Sequence, residues 1–98
     1  MKIEKGTAKN KKWKAVFSQY VDGKMKKLKV VQFGDNRYED YTQHKDKDRR
    51  KAYKSRHQKD LEKGDPMSAA FLSYYILWGT STDINKNISA FKRKFKFK

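Results

Sequence analysis

The chain has 98 residues, enough for one small domain with a modest core, and 26 Lys and Arg against 11 Asp and Glu leave a formal net charge of +15. It has no cysteine, which excludes a disulfide, a thiolate metal site and a cysteine nucleophile. Such a surface attracts polyanions, and nucleic acid is the commonest of them.

The charge is uneven. Residues 1–34 hold ten Lys against Glu4 and Asp22, a net +8; residues 35–64 net only +3, and residues 65–98 net +4. The N-terminal MKIEKGTAKNKK has no apolar core of the kind a secretory signal needs. Residues 1–11 read as a flexible basic arm ahead of a single small domain over 12–98.

A hairpin is predicted over 12–34. Trp13, Ala15 and Phe17 alternate with Lys12, Lys14, Val16 and Ser18, which marks a strand with one aromatic face. Asp22-Gly23 is a hairpin turn signal, and KMKKLKVVQF returns the chain to Gly34. An isolated hairpin is marginal in water, so one face is expected to lie on helices.

No Gly or Pro interrupts Thr42 to Leu61, so a helix is predicted over 42–61, with Thr42 as N-cap. Asp46 with Arg50 and Asp48 with Lys51 have the spacing of surface ion pairs. The inward stripe would be Thr42, Arg49, Tyr53, His57 and Leu61.

PMSAAFLSYYILWGTST, residues 66–82, is the one long uncharged stretch and reads as a core helix over 66–78. Asp65 suits its N-cap, Pro66 its first turn and Gly79 its far end. It is shorter than the about 20 residues that span a bilayer, so no membrane span is expected. A final basic amphipathic helix is predicted over 83–95, with Ile84, Ile88, Phe91 and Phe95 on its inner stripe. The fold class is α+β: a basic antiparallel hairpin on about three helices, with Leu72, Tyr75, Ile76, Trp78, Ile88 and Phe91 in the core.

Three blocks, FGDNRYEDYTQHKDKDRRKAYKSRHQKD (33–60), LSYYILWG (72–79) and ISAFKRKF (88–95), resemble an uncharacterised family of small basic proteins of large nucleocytoplasmic DNA viruses, those of algae and amoebae among them. Where members of that family often carry a Trp shortly before the Pro, this chain has Lys63-Gly64-Asp65. The resemblance implies a place in the virion or the infected cell interior, and no catalytic or binding residue.

Function must therefore be read from side chains. His44 and His57 lie thirteen positions apart, roughly 220° around one helix, too far apart to share a metal. Asp40 with His44 has the spacing of an acid/base couple, but a helix-start hydrogen bond is the commoner use. The five glycines are isolated and form no phosphate loop. Neither a catalytic residue, a metal site nor a cofactor is assigned, and the chain reads as non-enzymatic.

The candidate nucleic-acid-binding residues are Lys11, Lys12, Lys14, Lys24, Lys26, Lys27 and Lys29 on the hairpin, with Lys92, Arg93, Lys94, Lys96 and Lys98 on a projecting C-terminal tail. Lysines neutralise phosphates by counterion release and need no base readout. Trp13, Phe17 and Tyr20 stack on unpaired bases if exposed, and belong to the core if not. The expected role is genome neutralisation or packaging on viral DNA. The alternative is a minor structural protein on the inner face of a capsid, meeting acidic surfaces of other capsid proteins.

Overall fold

The computed structural model describes residues 1–62 and 64–98. The order is β1 (Lys2–Lys5), β2 (Lys11–Val21), β3 (Lys24–Asp35), α1 (Tyr41–His44), α2 (Lys47–His57), α3 (Ala69–Leu72) and α4 (Ile84–Phe95). A 3-10 turn, Gln58–Leu61, prolongs α2, and a π turn, Ser73–Leu77, prolongs α3. A three-stranded antiparallel sheet packs on helices, the expected α+β class.

Residues 2–5 are not a free arm. They form the edge strand β1, pairing Lys2 with Val16 and Lys5 with Trp13. The bare sequence hides this because the strand is short and only Ile3 supplies an apolar anchor.

The β2–β3 hairpin forms as predicted. Asp22 and Gly23 both take positive φ, 52° and 78°, the geometry of the tight turn whose twist matches antiparallel strands. The register pairs Trp13 with Phe33 and Ala15 with Val31, then shifts between Phe17 and Ser18 and leaves Leu28 unpaired in a bulge. Below the bulge Ala15, Val16 and Phe17 are buried; from Gln19 to Val30 every residue is exposed.

The helix expected over 42–61 is broken. Asp40, not Thr42, caps α1, accepting from Thr42 N while the side chain of Gln43 returns to the Asp40 N–H. Lys45 takes φ 59° and ends that turn, and Asp46 caps α2 by accepting from Asp48 and Arg49 N–H. The Asp46 carboxylate is thus a cap rather than a partner of Arg50. The break also rotates the stripe. Arg49 lies exposed, while Arg50 donates to the carbonyl of Gly79 at 2.7 Å and lies over the Tyr41 ring.

The core helix starts later than expected, with Ser68 as its cap; Asp65 instead accepts from Met67 N in the preceding turn. Of the turn expected at 63–65, Lys63 lies outside the described residues. Leu72, Ile76 and Leu77 are fully buried with Phe17, Phe33 and Phe91. Tyr75, Trp78 and Ile88, expected inside, are only half-buried and pack around that centre. Of Ser81, Thr82 and Asp83, each of a type that can cap a helix, Asp83 caps α4.

Candidate nucleic-acid interface

The hairpin lysines differ sharply in environment. Lys24, Lys26, Lys27 and Lys29 are exposed on the outer part of the ribbon. Ion pairs among the described residues involve only Lys12, Lys29, Arg37 and His57 as the basic partner, so Lys24, Lys26 and Lys27 keep their charge for an external anion. Lys29 reaches Asp65 only at 4.0 Å, with both side chains about half exposed, an arrangement worth little. Lys11 is exposed and Lys14 half-buried.

Lys12 is a correction to the expected set. Its ammonium donates to Asp40 at 2.7 Å and to the Oε1 of Gln43, and the Lys12 and Asp40 side chains are 11% and 4% exposed. A lysine that is buried to this extent and has its charge matched by Asp40 is withdrawn from a phosphate.

The C-terminal basic residues do not project as a free tail. Lys96 takes a left-handed conformation that ends α4, and Phe97 folds back, its ring 5.1 Å from Phe17 and 5.9 Å from Phe91. Lys29 is the cross-strand partner of Phe17. The fold-back thus carries Lys96 and Lys98 to the root of the hairpin. The Met1 nitrogen donates to a main-chain oxygen of Lys98 and closes the same end. Burial, and then the nearby charge of Lys92, lower the pKa of that terminal amine. Lys94 leans over the rings of Tyr75 and Phe95, while Arg93 is exposed. The C-terminal lysines thus lie near the root of the ribbon whose outer part carries Lys24, Lys26 and Lys27.

Phe17 is buried in the packed interior and Trp13 is half-buried against it. Tyr20 alone of the three candidate rings is free, at 73% exposure.

The histidines join an aromatic row. His44 packs on Trp78, Trp78 stacks on Tyr53 at 4.2 Å with 6° between planes, and Tyr53 packs on His57. Two rings separate the imidazoles. His44 Nδ1 accepts from the Asp46 N–H, and its Nε2 is buried without a partner. Asp40 is taken up by Lys12 and Thr42, so no Asp40–His44 couple forms. Burial, with Asp60 nearby, pushes the Tyr53 hydroxyl up to about 12.

A groove of about 1010 Å³ runs between the base of the hairpin and α2. Leu77, Trp78 and Ala70 line it, and its charges are mixed, with Arg49, Arg56, Asp35 and Glu39 all in the lining. The side chain and then the backbone N–H of Arg37 hold Asp35 down at about 2. No helix is long and apolar enough to cross a membrane among the described residues.

A family model matches residues 1–57, more than half of the chain. The chain belongs to a family of unknown function (DUF5754). The matched part of this DUF5754 member takes in the whole sheet, the hairpin with its lysines, the Lys12–Asp40 pair and α2, and stops before the core helix and α4. No curated protein and no solved structure matches the chain.

Proposed function

We propose that this protein is non-enzymatic and binds nucleic acid through its phosphates without reading sequence, in the neutralisation or packaging of a genome. The supporting observation is the placement of two lysine clusters. The exposed hairpin lysines, free of carboxylate partners at Lys24, Lys26 and Lys27, rise from the end where Phe97 on Phe17 seats the C-terminal lysines. Unpaired lysines along an exposed ribbon, with more at its root, suit a backbone-tracking contact. The setting, the interior of a large DNA virus or its infected cell, is supported by the resemblance of the three sequence blocks.

The test is a salt titration of binding to a short duplex and to a single strand. A steep fall of affinity with salt, alike for unrelated sequences, supports the reading, with a slope of about −0.9 per phosphate on duplex. Weak binding at about 0.15 M salt overturns it.

The second reading, a structural protein meeting acidic capsid surfaces, is supported by the mixed-charge groove and by Tyr38, which is 71% exposed beside it. Retention on shells emptied of nucleic acid, at fixed stoichiometry, favours that reading; release with the genome in high salt favours the first.

A further inference from the structure

The outer hairpin is covered on neither face, yet its tip is not simply polar. Tyr20 is 73%, Met25 62% and Leu28 52% exposed, an unusual cluster on a chain this charged. Tyr20 and Met25 are cross-strand partners, so with Ser18 and Lys27 they share one face of the ribbon. Val21 pairs with Lys24 and Gln19 with Lys26, which puts the other lysines on the opposite face. The bulge at Leu28 sits where the ribbon leaves the body, which is where bulges bend and twist a strand pair.

We propose that residues 18–30 form an arm that enters the major groove of duplex DNA, with Tyr20 and Met25 against base edges and Lys24, Lys26 and Lys27 on the flanking phosphates. The inference rests on the nucleic-acid reading above and names how that site engages its ligand. Charge complementarity chooses the occupant: the arm carries four Lys against Asp22 alone. Geometry chooses the groove. Paired strands lie about 4.8 Å apart, so a two-stranded ribbon with its side chains fills a major groove about 12 Å wide and is too broad for a minor groove about 6 Å wide. Ser18 to Val21 extend about 10 Å, enough to reach a floor about 8.5 Å deep. The major groove of duplex RNA is too narrow, so the arm favours DNA.

The experiment is dimethyl sulfate footprinting of a mixed-sequence DNA duplex with the full chain, since the reagent modifies guanine N7 in the major groove and adenine N3 in the minor. Guanine N7 protection is expected. Y20S/M25S should abolish it and weaken duplex binding about tenfold, with the salt slope unchanged. Both residues are exposed, so the variant should keep the circular dichroism of the parent. Tight, salt-steep binding with guanine N7 as reactive as in free DNA overturns the arm and leaves the phosphate reading standing. Absence of binding at about 0.15 M salt overturns both. A drop in sedimentation mass on Y20S/M25S overturns the arm by making it a contact between copies of the chain.

Discussion

The ammonium of Lys12 sits 2.7 Å from the carboxylate of Asp40, and the pair joins the first residues of β2 to the cap of α1. Asp40 also accepts from the backbone N–H and hydroxyl of Thr42, so its oxygens are well supplied. Removing Lys12 strands a buried carboxylate, which costs far more than the pair itself is worth. K12M should lower unfolding stability by about 3 kcal/mol in a urea titration. Below its melting range, the same variant should bind DNA with an unchanged salt slope.

The exposed lysines should behave in the opposite way. K24Q/K26Q should leave urea stability within about 0.5 kcal/mol of the parent, because nothing in the fold leans on either side chain. Its log–log salt slope should shrink by about 2, one for each phosphate that the variant no longer neutralises. An unchanged slope would remove the hairpin from the interface.

Gly79 and Asn87 form a second junction, between the core helix and α4. A Cβ on Gly79 would collide with the Tyr75 carbonyl oxygen and stand 2.7 Å from the Asn87 side chain, so the site admits no larger residue without movement. Asn87 is 2% exposed and donates to the carbonyls of Ile76 and Ser81 while accepting from Ser81 N. G79A should cost about 2 kcal/mol by overpacking. N87L, which keeps the branched shape but loses every polar atom, should cost about 2–3 kcal/mol because it leaves those groups unpaired. Thermal melts of the two variants check both figures.

Lys54 sets a pH dependence. Burial first, and Arg50 second, push its pKa down to about 8 from an ordinary 10.5, although its ammonium lies 4.2 Å over the Tyr74 ring. Below pH 8 it is charged in both states and the fold bears the penalty. As pH rises from about 8 toward 10.5 the folded form sheds its proton first, so stability rises. Tyr53, held at about 12 against an ordinary 10.0, works the other way, and stability should turn down above pH 10. Lys54 is half-exposed, so the rise should amount to only about 1 kcal/mol after solvent screening. K54M should flatten the rise and leave the fall, as read by melting temperature against pH.

The aromatic row shows how far pattern reading reached into the site. Tyr53 and Trp78 were legible as large anchors, but their stacking joins residues 25 positions apart that no periodicity links. The break at Lys45 was hidden for a related reason. Lysine is a good helix former, and only the competition of two aspartate caps, Asp40 and Asp46, forces it to a positive φ. That break turned Arg50 inward in place of Arg49. Phe97 lies past the end of the helical stripe, so its return onto Phe17 had no local signal.

Elements governed by local forces could be read from the residues alone. Asp22-Gly23 dictates its turn through the positive φ both residues tolerate, the uncharged stretch around Leu72 and Ile76 must be buried, and the stripe Ile84, Ile88, Phe91 and Phe95 orients α4. The strongly basic surface was equally plain from composition. Which lysines remain available, by contrast, depends on how the chain packs in three dimensions. Lys12 was lost to Asp40, 28 residues away, and the last lysines were drawn to the hairpin root by one phenylalanine. A charge is worth what its surroundings leave it, and those surroundings come from parts of the chain that are neighbours only after folding.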